Sequence, residues 1–221
     1  MKAKSLVLVI FCMCGVSANA QFSVGVKGGL NASSIEEYGA YSLDTRAGFH
    51  AGIMAQYMFD DNWGLESGLY YSLLGGSEKE WDYDHRLGVV EEDYMATANP
   101  SYLQLPVYAI YKFRVGNDIA IYPNLGLYLG YGLGGKYDVK GVRYNYQSRE
   151  LVDVAENRDF FDDNTNRLDM GVGAGLNLQY KKFVVGLGYE QGFLKINKHR
   201  FSYGNEDAYN SNMKLSVGFM F

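Results

Sequence analysis

The sequence predicts an all-β protein, an eight-stranded antiparallel up-and-down transmembrane β-barrel. Three observations predict it. Apolar residues recur with a period of two in eight separate segments, the connections between those segments alternate short and long, and a secretory leader stands ahead of them. Successive strand side chains point to opposite faces, so each segment has one bulky apolar face and one small or polar face.

The leader comes first in the chain. Lys2 and Lys4 form a basic start, Leu6 to Val16 is apolar, and Ala18-Asn19-Ala20 is a small-x-small cleavage site. Residues 1–20 therefore read as a signal peptide, with the mature domain at 21–221 beginning at Gln21. The apolar stretch is too short for a membrane-spanning helix, and Met13 before Cys14 argues against a lipoprotein signal. Cys12 and Cys14 both lie in the leader, which excludes disulfides, thiolate metal sites and a cysteine nucleophile from the mature chain. Losing Lys2 and Lys4 takes the formal charge from −5 to −7, so no basic footprint argues for nucleic acid.

The clearest pair of segments is 168–194. Leu168, Met170, Val172, Ala174, Leu176, Leu178 and Tyr180 alternate with Asp169, Gly171, Gly173, Gly175, Asn177 and Gln179. After Lys181-Lys182 the pattern resumes with Phe183, Val185, Leu187 and Tyr189 on the apolar side, against Gly186, Gly188 and Glu190. A two-residue turn pairs Tyr180 with Phe183 and fixes the register. The same alternation covers 22–31, 47–59, 63–73, 102–114, 119–132 and 213–221.

Asp60-Asp61-Asn62, Gly116-Asn117-Asp118 and Lys181-Lys182 are tight turns, whereas 32–45, 75–101, 134–167 and 195–211 are long and polar. Short turns on one side and long loops on the other fit an outer-membrane barrel with both termini periplasmic. A soluble barrel would alternate too, but with its bulky face inward. Here the alternate face is too rich in glycine for a solvated exterior, so the greasy face is assigned to lipid. Phe59, Trp63, Phe113, Tyr180, Phe183, Phe219 and Phe221 cluster near the tight turns, as an interfacial aromatic girdle would, and Tyr71, Tyr131 and Phe193 suit the opposite girdle. The 134–167 stretch is long enough to hold structure of its own, with strands extended beyond the membrane. Pro106 and Pro123 fall within strands and predict local bulges, because each removes a ladder hydrogen bond.

The inward face collects Lys27, His50, Glu66, Lys112, Arg114, Asp169, Glu190 and Lys214. Eight strands leave an interior that side chains fill, so these charges are expected to pair rather than to line an open pore. Counting from the tight turns puts Glu66 level with Lys112, and Glu190 level with Lys214, with Lys27 near by.

Catalysis and metal binding find thin support. His50 faces Ser72 across the second hairpin with Glu66 below, and Asp84-His85 is an acid/His pair in a loop, but no GxSxG-type context exists. Asp162, Asn164 and Asn166 begin with the spacing of a calcium loop. Arg167 then stands where glycine belongs, and Gly173 where the bidentate Glu should be. No catalytic residue, cofactor or metal is assigned. The 75–101 stretch is acidic, and Trp81, Tyr83 and Tyr94 among its carboxylates mark a candidate binding surface.

Several strand motifs together carry a family resemblance: VKGGLN (26–31), GFHAGI (48–53), LESGLYYSLLGG (65–76), YLQLPVYAIYKF (102–113), NLGLYLGYGLGG (124–135) and KLSVGFMF (214–221). The mature chain resembles the PorT-like small outer-membrane barrels of Bacteroidetes, which are similar in build to OmpA-type barrels. The resemblance implies a barrel and no particular activity. It also implies that Phe219 and Phe221 act as the terminal signal read by the outer-membrane assembly machinery. The expected partners are outer-membrane lipid, that machinery, and an unknown extracellular or envelope partner, and the chain is expected to be a monomer. The function expected is that of a non-enzymatic surface protein binding through its loops. The alternatives are a lipid- or peptide-modifying outer-membrane enzyme and an accessory component of a type IX-like secretion system.

Overall fold

The computed structural model describes residues 22–37, 44–84, 89–145, 147–148, 150–163, 165–197 and 207–221. Residues 1–20, read above as a leader, and His85 and Asn164 lie outside these residues.

Eight strands close into an antiparallel barrel: β1 (Phe22–Glu37), β2 (Asp44–Met58), β3 (Trp63–Leu73), β6 (Ser101–Tyr111), β8 (Ile119–Gly134), β11 (Leu168–Tyr180), β12 (Phe183–Gly192) and β13 (Ala208–Met220). Each pairs with its sequence neighbours in the wall. The ring shuts where β1 meets β13, with Leu30 opposite Leu215 on one side and Phe49 on the other. Alternation is plain in β8, where Ile119, Ile121, Leu125, Leu127 and Leu129 are exposed outward while Ala120, Tyr122, Asn124 and Tyr128 are buried inside. Tyr180 pairs with Phe183 across a turn whose Lys181 takes a φ of 53°.

The two longest connections carry strands of their own. The 75–101 stretch folds as a hairpin of β4 (Gly76–Asp84) and β5 (Val89–Ala98), and 134–167 contains β9 (Lys136–Asn145) and β10 (Glu150–Asp159). Pairing of β5 with β9 joins the hairpins into a four-stranded sheet in the order β4-β5-β9-β10, attached to β2 through Asp44 and Thr45. Gly75 and Gly135 sit where barrel strands hand over to this sheet, at φ of 148° and 149°. A Cβ at Gly135 would lie 2.4 Å from the Asn99 carbonyl oxygen, and one at Gly75 2.1 Å from that of Ala98. Both junctions therefore need glycine for conformation and for space.

The prolines correct the expectation of bulges. Opposite Pro106, pairing between β3 and β6 lapses between Ser67↔Val107 and Tyr70↔Gln104 and resumes in the same register. Opposite Pro123 the wall lapses at Tyr111 and Lys112, then continues as the short β7 (Phe113–Val115), again in unchanged register. On the β3 side the ladder runs on past this gap. Lys112 N–H donates to Asn62 O at 2.8 Å, and the Asn62 side-chain amide donates back to Lys112 O at 2.8 Å. A closed wall cannot absorb an extra residue without shifting every later pair, so the gap is bridged locally instead. Among the described residues the wall has a register shift between Ser101 and Tyr102, at the start of β6.

Candidate functional site

The interior is layered. At the short-turn end Met54, Met58, Tyr70, Ile110, Tyr122, Val184 and Met220 pack into an apolar cluster. At the long-loop end Ile35, Leu74, Ala98, Tyr102, Phe160, Phe161, Ile196 and Ala208 form a second one. Phe160 and Phe161 come from the segment after β10 and turn into the barrel mouth. Phe161 packs edge-on against Tyr102 at 5.5 Å, lies under the Arg167 guanidinium at 5.1 Å, and covers Gly132 so closely that no Cβ would fit. Between the clusters, and interleaved with the one at the short-turn end, lies the polar layer: Gln56 stands between Met54 and Met58 along β2.

That layer resolves into connected groups. Lys27 donates to Glu66 at 3.0 Å, and Glu66 also accepts from Gln56 at 2.7 Å and Tyr122 at 3.3 Å. Lys214 donates to Glu190 at 2.5 Å and to Gln104 at 3.1 Å, while Tyr108 donates to Glu190 at 2.7 Å and Ser72 to Gln104 at 2.6 Å. Asp169 accepts from Asn210 at 3.0 Å and Tyr128 at 3.2 Å. Glu66 and Glu190 are thus each met by a lysine and further donors, which offsets the cost of taking them out of water. Asp169 departs from the expected pairing: both donors reach Oδ2, and its Oδ1 has no hydrogen-bond partner among the described residues.

Two expected placements are corrected. The counter-charge of Glu66 is Lys27, not Lys112. Lys112 donates instead to the side-chain carbonyls of Gln56 at 2.7 Å and Gln179 at 2.9 Å. Counting residues up from the turns ignores the tilt of the strands, which staggers neighbours along the axis and brings β1 rather than β6 to Glu66. Arg114 is not in the interior network. It stands half-exposed at the short-turn rim, 3.5 Å from Asp61, because β7 continues past the end of the interior.

His50 is opposite Ser72 in register, but its ring turns elsewhere: Nδ1 lies 2.8 Å from Asn31 Oδ1 and Nε2 3.0 Å from Ser216 Oγ. The Asn31 amide nitrogen donates to the carbonyls of Phe49 and Leu73, so its Oδ1 is left to accept from Nδ1–H. The Ser216–His50–Asn31 chain has the order of a nucleophile, base and orienting group. All three are buried in the polar layer, and the neighbouring cavity of about 50 Å³ has room for a few waters and none for a substrate. Asn124, which borders this cavity, has no protein partner for its Oδ1 among the described residues, and neither has Asn212 for its buried amide. No group of His, Cys, Asp or Glu with metal-site geometry occurs among the described residues. In the calcium-like stretch the Asn166 amide donates to Lys195 O at 2.8 Å, while the Thr165 hydroxyl caps the turn by donating to Phe160 O.

Of the aromatic loop residues, Tyr94 is half-buried over Gly141 of β9. Trp81 and Tyr83 have described strand positions in β4, pairing with Asp93 and Val90, but their side chains lie outside the described structure. At the short-turn end Phe219 stacks edge-on with Phe183 at 5.2 Å and with Phe221 at 5.9 Å, and Phe221 N–H donates to Val24 O at 2.8 Å. The sequence reading missed Asn210, which lies in the last strand because that strand begins at Ala208 rather than Met213, and the Phe160-Phe161 pair. Two adjacent aromatics in a charged stretch were the available signal for the latter.

Residues 17–198 match the family described as outer membrane protein beta-barrel domain. The chain belongs to this family. No curated protein resembles it closely enough to count as a match. Among solved structures, the chain is similar to Ail, the attachment invasion locus protein of Yersinia pestis, at 17% identity and a TM-score of 0.44, covering 91% of this chain and 99% of Ail. It is also similar to Neisserial surface protein A at 14% identity and a TM-score of 0.38, over 90% of this chain and 97% of that one. A major outer membrane protein of Thermus thermophilus matches at 12% identity and a TM-score of 0.41, over 92% and 100%.

Proposed function

We propose that this outer-membrane barrel is a non-enzymatic surface protein, anchored by its wall and binding a partner through the sheet built from 75–101 and 134–167. One observation carries the reading. The two longest connections converge on a single ordered sheet through the β5–β9 pairing, while the barrel interior beneath is occupied by hydrogen-bonded pairs and closed by an apolar cluster at each end. Structure is concentrated outside the lipid, where a partner can reach it. In this reading the leader at 1–20 is removed, the termini and short turns are periplasmic, and Phe219 and Phe221 present the assembly signal. The strand motifs resemble those of the PorT-like barrels of Bacteroidetes, and on that resemblance a neighbour in a secretion system would be the partner that the sheet meets.

Cross-linking with mass spectrometry in native membranes tests this. Cross-links to a partner are expected from β4, β5, β9 and β10, and deleting either hairpin should abolish them. His50→Ala and His85→Ala variants are expected to bind as the parent does. A hairpin deletion that keeps the partner, or loss of function in the histidine variants alone, would overturn the proposal.

A further inference from the structure

The outer sheet ends on β10, and among the described residues β10 pairs with β9 alone. The pairing is continuous from Glu150↔Asn145 to Asp159↔Lys136, with no bulge, glycine or proline in β10, and nearly every residue of the strand is exposed. A regular ten-residue edge is the kind that proteins usually protect, because its unpaired N–H and C=O groups template another strand. Here proline and bulge are missing, and charge is the one protective device present. What the strand does carry is negative charge at every third position, Glu150, Asp153, Glu156 and Asp159, against the single base Arg158.

Among the described residues one ion pair is formed with these carboxylates from the neighbouring strand, although Lys140 and Arg143 lie diagonal to Asp153 and Glu150. Asp159 is bridged by Lys136 at 2.8 Å, but Glu150, Asp153 and Glu156 stand opposite Asn145, Val142 and Val139. The Glu156–Arg158 contact is 3.9 Å between two largely exposed side chains, which contributes little. A second copy of this chain is a poor occupant. Centred antiparallel pairing of β10 with itself would set Glu150 against Asp159 and Asp153 against Glu156, and like charges directly opposite destabilise a strand pair.

We infer that β10 captures an extended basic segment of a partner protein by strand addition, its backbone completing the ladder and its Lys or Arg side chains meeting Glu150, Asp153 and Glu156. This rests on the partner-binding reading above and names the mode and the chemistry of the partner.

The test uses the full chain in lipid nanodiscs and the peptide Lys-Thr-Val-Lys-Thr-Val-Lys-Thr-Val-Lys. The peptide is expected to bind, to protect the β10 amides from hydrogen exchange, and to weaken about tenfold in Asp153→Lys/Glu156→Lys protein, since close charge pairs across an interface carry coupling of that order. The same peptide N-methylated at alternate residues keeps its charge but loses edge donors, and it is expected not to bind. Equal binding of the methylated peptide, no protection of β10, or concentration-dependent protection without any peptide would each overturn the inference. Failure here is separable from failure of the proposed function: cellular cross-links on β4 and β5 with β10 unprotected sink strand addition alone, whereas no cross-link to either hairpin sinks both.

Discussion

The barrel wall and the outer sheet are made of the same antiparallel ladder and are continuous through Gly75 and Gly135, yet they obey opposite rules. In the wall every strand has two neighbours, the outward face is apolar, and the polar side chains are inside. In the outer sheet β10 has one neighbour among the described residues and shows no inside at all, its residues being exposed on both faces. The difference is the solvent. Lipid cannot satisfy a backbone group or a charge, so the wall must close and turn its charges inward. Water satisfies both, so the sheet can afford an edge. Stability is therefore concentrated in the wall and its filled interior, and the recognition proposed above in the sheet.

The sharpest way to break that comparison is to unpair a charge inside the wall. Glu66→Leu leaves Lys27 buried without its carboxylate and should cost about 3–5 kcal/mol, read as a lower urea midpoint in detergent. The double variant Lys27→Met/Glu66→Leu should recover most of this loss. If the single and double variants unfold alike, the pair does not hold the interior together.

Phe161→Ala is expected to cost about 3 kcal/mol by emptying the cluster at the barrel mouth. It should also raise conductance in planar bilayers, which is expected to be negligible in the parent. No change in either quantity would show that the mouth is closed by something else. At the junction, Gly135→Ala meets both a φ of 149° and the Asn99 carbonyl, and should cost about 1–3 kcal/mol. Its signature is faster amide exchange in β9 and β10 with the wall unchanged. Faster exchange throughout would mean that sheet and wall unfold as one.

The smallest effects belong to exposed carboxylates. The N–H groups of Trp63 and Asn62 hold the Asp60 carboxyl below its ordinary range, and Lys136 does the same for Asp159. A depressed folded value stabilises the protein above the unfolded pKa of the group, and this is lost as pH falls through the folded value. Asp60→Asn and Asp159→Asn should therefore each flatten the acid limb of the stability profile slightly and leave neutral pH nearly untouched. A large change at neutral pH would contradict the surface position of both groups.

Much of this was legible in the residues themselves. Period-two alternation determined the eight wall strands, the register of the 168–192 hairpin, and which side chains face inward, because side-chain direction follows from strand geometry alone. The Lys214–Glu190 pair was also within reach, since β12 and β13 are adjacent and Glu190 pairs with Asn212, two residues from Lys214. What the sequence by itself determined is thus the wall, the side that meets lipid and the polar inventory of the interior. The tertiary structure alone decided that Glu66 meets Lys27 and that Arg114 leaves the interior, because both depend on strand tilt. It alone joined the two long connections into one sheet, through contacts between residues some fifty positions apart, as in Tyr94 opposite Gly141. Local patterning carries no record of such distant pairing, which is set when the closed wall brings the ends of β3, β6 and β8 side by side.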